Sequence, residues 1–165
     1  MRLLDETSKA RPRWGRNVTD LDASIRFYSS VFGIEPTKRR DDYANFRSLE
    51  PLLHLALVSH PGHQLLGPSS NQHFGIELFE DSQLHIWREQ VVSGCLVPRL
   101  EESVTCCYAV ADKFWLQDPD GNEWEFWVRK DEADSMHGEE AGCCAPECCA
   151  PEPQVQGPVK TACCS

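Results

Sequence analysis

Two stretches of this chain begin alike. Arg13-Trp14-Gly15-Arg16-Asn17-Val18 lines up with His73-Phe74-Gly75-Ile76-Glu77-Leu78, and each leads within a few residues into a helix signal. After the first, Thr19-Asp20-Leu21-Asp22 resembles a capping box with Asp in the Glu position, and Leu21, Ile25, Tyr28 and Phe32 recur at helical spacing until Gly33. This predicts a helix over 20–32. Strand-like runs follow at about 35–39, at 43–48 and at 53–59, where Leu53, Leu55 and Leu57 alternate with His54, Ala56 and Val58. A connector rich in Pro, Gly and Ser occupies 60–71. The order then repeats: a strand over 73–79, a helix over 81–93 capped by Asp81-Ser82 and ended by Gly94, and strands near 95–100, 113–117 and 123–129. Asp118-Pro119-Asp120-Gly121 is a turn that joins the last two. Two such units, each with one helix on a curved sheet, could pair to enclose a cleft. The competing reading is a single α+β sheet whose halves match by accident.

The end of the chain cannot join a core. Residues 131–165 contain no Leu, Ile, Phe, Trp or Tyr, and they hold seven acids against Lys160 alone, so they carry six of the ten net negative charges of the 165 residues. Such a composition predicts disorder. The expected division is a folded part over 11–130, with modules of about 11–60 and 71–130, and an acidic tail over 131–165. The charge balance excludes nucleic acid as a main partner, because phosphate binding needs clustered bases and Lys38-Arg39-Arg40 runs straight into Asp41-Asp42. No apolar run reaches the length of a membrane span, and Met1–Pro12 lacks the apolar stretch of a secretion signal, so a soluble cytoplasmic protein is expected.

Nine cysteines mark the chemistry. Six lie in adjacent pairs in the tail, Cys143-Cys144, Cys148-Cys149 and Cys163-Cys164, and neighbouring residues are poor disulfide partners because their Cα atoms are too close. Reduced thiols that capture thiophilic ions are the better reading. Cys106-Cys107 forms a fourth pair between two strands of the folded part. It reads either as two small apolar residues or as a dithiolate clamp for a soft centre such as trivalent arsenic or a heavy metal. His73 opens the second unit, and alternation in the last strand puts Glu123, Glu125 and Trp127 on one face, with Trp124 and Phe126 on the other. A His and a Glu that face one cavity supply two ligands of a metal site with open positions; hydrogen-bonded or surface residues are the plainer reading. Lys113 follows the cysteine segment and could approach a charged substrate, but a solvated strand-edge lysine is the plainer reading. The five tryptophans, Trp14, Trp87, Trp115, Trp124 and Trp127, are expected to fill the core or wall the cleft.

Several segments taken together resemble a known family over about residues 13–129. They are Asn17-Val18-Thr19-Asp20-Leu21-Asp22-Ala23-Ser24-Ile25-Arg26-Phe27-Tyr28, Tyr43-Ala44-Asn45-Phe46, Gln72-His73-Phe74-Gly75-Ile76-Glu77, Thr105-Cys106-Cys107-Tyr108-Ala109 and Asp118-Pro119-Asp120-Gly121-Asn122-Glu123-Trp124-Glu125. The resemblance is to the arsenic- and cadmium-induced branch of the vicinal oxygen chelate superfamily, whose members include the C–As lyases, Fe(II)-dependent dioxygenases that cleave trivalent organoarsenicals. The turn followed by Glu marks the superfamily, and the adjacent cysteines mark the branch. The resemblance implies an α+β fold of two βαβββ modules around a cleft, His73 and Glu125 as ligands of Fe(II), and Cys106 and Cys107 as the holders of arsenic. Dioxygen would be the co-substrate, with arsenite and an oxidised organic fragment as products. A non-catalytic thiol protein that binds arsenic or cadmium through Cys106-Cys107 and the tail is the alternative. A glutathione-dependent isomerisation would leave the adjacent cysteines unexplained.

One position departs from the pattern. The family's third ligand, a His or Gln, falls where this chain has Arg13, and a guanidinium has no lone pair to give a metal. Either the ligand has been lost, or residues 1–16 are not the authentic start. His54 is a candidate substitute, and Arg13 could instead bind an anionic substituent of the substrate.

Overall fold

The computed structural model describes residues 11–62 and 73–136. The chain divides into two compact units, Met1–His63 and Gln64–Ser165. The first contains β1 (Arg13–Val18), α1 (Leu21–Phe32), β2 (Lys38–Arg40), β3 (Tyr43–Leu49) and β4 (Leu52–Ser59). The second contains β5 (His73–Leu78), α2 (Asp81–Ser93), β6 (Arg99–Cys106), β7 (Ala109–Gln117) and β8 (Glu123–Glu132).

Each unit is a four-stranded mixed sheet of one topology. The orders are β1-β4-β3-β2 and β5-β8-β7-β6, with the first strand parallel to the last and the other pairs antiparallel. The two βαβββ units expected from the repeated starts are therefore present, and Arg13 and His73 open equivalent strands.

In the first unit α1 covers one face of the sheet. Asp20, not Thr19, caps it: the Asp20 carboxylate accepts a 2.8 Å bond from the Ala23 N–H. Gly33 ends the helix at φ 65°, a left-handed conformation that glycine adopts without a side-chain penalty. Leu21, Ile25, Tyr28 and Phe32 are buried, as their spacing requires, and Tyr28 and Phe32 pack against Phe46 of β3.

The second unit packs α2 more thinly. Its cap is Glu80, in a reciprocal capping box with Gln83, rather than Asp81-Ser82, so the box begins one residue earlier than the sequence suggests. Val91 is the one residue of α2 that is fully buried, whereas Ile86 remains 59% exposed. Beneath the helix lie Trp124, Phe126 and Val128 of β8 and Phe114 and Leu116 of β7, all buried. The strand expected near 95–100 is β6, displaced to Arg99–Cys106, and residues 95–98 instead follow the helix as a connection.

Residues 131–136, expected to be disordered, continue the sheet and then bond back to it. Ala133 N–H donates to the Tyr108 carbonyl at 2.9 Å, and Cys107 N–H donates to the Met136 carbonyl at 2.8 Å. The tail pairs Cys143-Cys144, Cys148-Cys149 and Cys163-Cys164 lie outside the described residues.

The contrast between the two helices is testable. Phe46→Ala removes a ring that is 1% exposed between α1 and its sheet and should cost about 3–5 kcal/mol in denaturant unfolding, while Ile86→Ala should cost about 0.5 kcal/mol or less.

Candidate functional site

The face of the second sheet opposite α2 collects the charged residues. Alternation along the strands places His73 and Gly75 of β5, Glu123 and Glu125 of β8, Lys113 and Trp115 of β7, and Arg99 and Glu101 of β6 on this face. His73 Nε2 lies 3.3 Å from Glu125 Oε2. The other oxygen, Oε1, is 3.1 Å from Lys113 Nζ, which lies 3.5 Å from Glu101 Oε2. Glu101 in turn pairs with Arg99, and Arg99 reaches Glu123 at 3.6 Å. A single chain of alternating charges thus crosses all four strands. Trp115 forms its floor: the His73 ring meets it edge-on at 5.1 Å, and the Lys113 and Arg99 cations each lie 5.2 Å from its centroid.

Lys113 overturns its sequence reading. Its side chain is 4% exposed, because β7 is an interior strand paired on both sides and not an edge. The available signal was its period-two relation to Trp115, which stands opposite Glu125 in the register.

The charges shift one another. The hydrogen bond that His73 donates to Glu125 holds the His73 pKa above its usual 6.5 despite partial burial. Burial would raise the Glu125 pKa, but the His73 hydrogen bond and the Lys113 cation outweigh it and keep the carboxyl below the ordinary glutamate value. Burial likewise opposes charge on Lys113, yet Glu125, Glu101 and the Cys106 sulfur together hold its pKa above the usual lysine value.

Cys106 and Cys107 sit at the end of the same face, and two local irregularities bring them there. The register of β6 against β7 passes from Glu101↔Lys113 to Val104↔Ala111, so β6 carries one extra residue. Without that bulge, the odd-numbered residues after Glu101 would share its face. With it, Val104 and Cys106 do. Ser103, at φ 52°, makes the kink, and its N–H donates to Asp112 Oδ1 at 2.7 Å. Cys107 and Tyr108 then form a two-residue hairpin turn with φ of 54° and 63°. Positive φ at both positions is the I′ geometry, usually supplied by Asn-Gly. Consecutive side chains of an extended strand diverge; the left-handed Cys107 folds the second sulfur back, and the two Sγ atoms lie 3.4 Å apart. That exceeds the disulfide length of about 2.05 Å. Two thiolate bonds to one soft centre, each about 2.3 Å and meeting near a right angle, span about 3.3 Å.

The His73–Glu125 pair has a spacing suited to a cation. Bonds of about 2.1 Å to donors 3.3 Å apart would meet at roughly 105°, the angle of neighbouring positions around a metal. No cluster of three or more His, Cys, Asp or Glu with metal-binding geometry occurs among the described residues. The equivalent positions of the first unit are donor-free: Arg13 stands where β5 has His73, and the Gly15↔Ala56 pair matches Gly75↔Glu125. His54 lies in the first unit, between Arg47 and Arg13 in the register, and burial followed by those cations lowers its pKa.

The raised His73 pKa fixes a pH dependence. The folded chain holds that proton more tightly than the unfolded chain, so the stabilisation is complete below 6.5 and is lost as pH rises through the folded value. In chelator-treated protein the unfolding midpoint should therefore fall as pH climbs from 6.5, and His73→Gln should flatten that part of the profile.

Residues 12–126 match the profile of the Glyoxalase/Bleomycin resistance protein/Dioxygenase superfamily. A "Trivalent organoarsenical cleaving enzyme" of Bacillus sp. (strain MD1) is 39% identical over 156 residues, covering 92% of this chain and 88% of the relative. An identically named protein of Thermomonospora curvata is 39% identical over 139 residues, covering 83% of this chain and 89% of its own. "Cadmium-induced protein CadI" of Mycobacterium bovis is 34% identical over 145 residues, covering 82% and 93%. A solved glyoxalase/bleomycin resistance protein/dioxygenase of Alicyclobacillus acidocaldarius shares the fold at a TM-score of 0.57 and 20% identity, over 72% of this chain and 90% of that one.

Proposed function

This chain belongs to the Glyoxalase/Bleomycin resistance protein/Dioxygenase superfamily, and from that membership we propose that it cleaves the carbon–arsenic bond of trivalent organoarsenicals, as an Fe(II)-dependent dioxygenase of the cytoplasm that releases arsenite. The observation that carries the reading is the 3.4 Å pair of sulfurs on the same sheet face as His73 and Glu125. The names of the relatives from Bacillus and Thermomonospora support the substrate class. Among the described residues no helix is long and apolar enough to cross a membrane.

Cys106 and Cys107 would bind the arsenical by losing two thiol protons and forming two arsenic–sulfur bonds, with two arsenic-bound hydroxyls leaving as water. Only trivalent arsenic accepts such thiolates without a change of oxidation state. The clamp leaves the organic substituent attached, and the shared face directs the arsenical towards His73 and Glu125. Those two residues would hold the iron through Nε2 and Oε2. When bound, iron supplies open positions at which dioxygen is activated for oxidation of the carbon–arsenic bond. Lys113 acts as a positioning residue. Its ammonium engages Oε1 of Glu125 and so leaves Oε2 to face His73. Trp115 meets the His73 ring edge-on and lies 5.2 Å from the Lys113 ammonium.

A second reading rests on Arg13. With an arginine at the start of β1 and no cluster of three donors among the described residues, a chain that only sequesters arsenic or cadmium through thiols would keep the clamp and lack turnover. The two readings separate on anaerobic Fe(II) loading, followed by oxygen and a trivalent methyl- or aryl-arsenical. The proposed activity predicts arsenite release by the natural chain; release by Arg13→His alone establishes the sequestering reading instead. Independently of turnover, Cys106→Ser or Cys107→Ser should weaken phenylarsine oxide binding about 100-fold, because the second sulfur's attack is intramolecular. Unchanged affinity in calorimetry would exclude the clamp.

A further inference from the structure

The face of the first sheet opposite α1 carries cations that no strand neutralises. Phe46 of β3 packs against the helix, so alternation turns Arg13, Lys38, Arg40, Asn45, Arg47 and His54 to the other side. Arg13, His54 and Arg47 stand directly opposite one another on three adjacent strands, a relation in which like charges repel. The strands β1 to β4 contain no Asp or Glu. Among the described residues Arg13, Lys38, Arg40 and Arg47 pair with no carboxylate, whereas Lys113 and Arg99 on the equivalent face of the second sheet each meet two. In a chain with 26 acids against 16 bases, such a face runs against the composition.

Two buried polar atoms on this face also lack partners. Asn45, only 6% exposed, meets the Tyr43 hydroxyl at 3.0 Å through one end of its amide, and the other end has no partner among the described residues. A hydroxyl donates as well as accepts, so the amide oxygen can take the Tyr43 proton and leave two N–H donors for a ligand. His54 Nε2 is buried without a partner too. Burial, followed by Arg47, Arg13 and Arg11, holds the His54 pKa below 6.5, so the neutral ring can donate one N–H. Asn45, Arg47 and Lys38, with Thr37 and Arg40, line an open groove of about 530 Å³.

We propose that this face of the first unit binds a small, multiply charged oxyanion, a phosphate or a polycarboxylate, through Arg13, Arg47 and Lys38, with N–H donors from Asn45 and His54. Neighbouring strands lie about 4.8 Å apart, so the two arginines rise about 10 Å apart with His54 between them, a gap that two long side chains close over one ligand. Each guanidinium presents paired N–H donors that match two oxygens of a carboxylate or phosphate. Arg13, which has no lone pair for a metal, gains a task of its own here. The site lies within one unit, and its occupancy does not depend on turnover. An anion above His54 offsets the arginines and favours the imidazolium, so binding raises the His54 pKa.

The test uses the full chain, stripped of metal and desalted into phosphate-free buffer at fixed ionic strength, with sodium phosphate and sodium citrate as separate probes. Calorimetry reads binding, and NMR reads the His54 ring, assigned by its loss in His54→Gln. Saturable binding of at least one probe is expected, with the His54 titration midpoint moved upward on saturation. Phosphate binding alone identifies a phosphate site, and citrate binding alone a polycarboxylate site. Arg13→Gln combined with Arg47→Gln should weaken binding at least tenfold and Lys38→Gln about threefold; all three residues are exposed, so the core is spared. Arg26→Gln, on the exposed side of α1, should leave it unchanged. Failure of both probes to bind overturns the proposal. So does binding that survives the double variant, that falls equally with Arg26→Gln, or that leaves the His54 midpoint where it was.

Discussion

The ammonium of Lys113 between two carboxylates is the interaction on which the site depends. Glu101 and Glu125 stand on strands either side of β7, and without a cation between them they would face each other across a half-buried surface. A lysine with a side chain 4% exposed is costly to charge unless its counter-ions are fixed. Here both are, and the ammonium also lies 5.2 Å from the centroid of the Trp115 ring. The arrangement gives Glu125 a division of labour between its oxygens, one committed to Lys113 and the other turned to His73. It also joins β5 to β6 electrostatically through strands that lie between them, since Lys113 pairs with Glu125, the partner of His73, on one side and with Glu101 on the other.

The thiol pair depends on backbone irregularity instead. A regular β6 would point Cys106 into the α2 side of the sheet and hold Cys107 in an extended conformation away from it. The bulge near Ser103 changes the parity, and the left-handed turn at Cys107 and Tyr108 closes the gap between sulfurs. Non-glycine residues at positive φ are strained, and three of them occur within six residues. The backbone bonds to Asp112, Met136 and Ala133 are the local structure that holds this strain. The end of β8 therefore belongs to the site as much as to the sheet.

Much of this was legible in the sequence, and the failures share a cause. Helical spacing located α1, cap and stop signals located α2, alternation placed Glu125 opposite Trp124 and Phe126, and the repeated strand starts revealed the duplicated topology. These signals depend on periodicity, which survives in the amino-acid order. The position of β6, the face of Cys106 and the burial of Lys113 depend on pairing. A bulge breaks parity without leaving a glycine to mark it, and Cys107-Tyr108 carries none of the usual hairpin-turn residues. Lys113 was misread because a charged residue in a strand suggests an edge, and only the strand order shows β7 to be interior.

The two units show how one topology supports unequal chemistry. Where the second sheet offers His73 and Glu125, the first offers Arg13 and Ala56, so donors are concentrated on one unit. The central claim is that sulfur and nitrogen–oxygen donors on that unit serve different atoms. X-ray absorption at the arsenic and iron edges, on chain loaded anaerobically with Fe(II) and phenylarsine oxide, tests it directly. The account predicts arsenic bonded to sulfur and iron bonded only to nitrogen and oxygen; sulfur in the first shell of iron, or arsenic without sulfur, would contradict it.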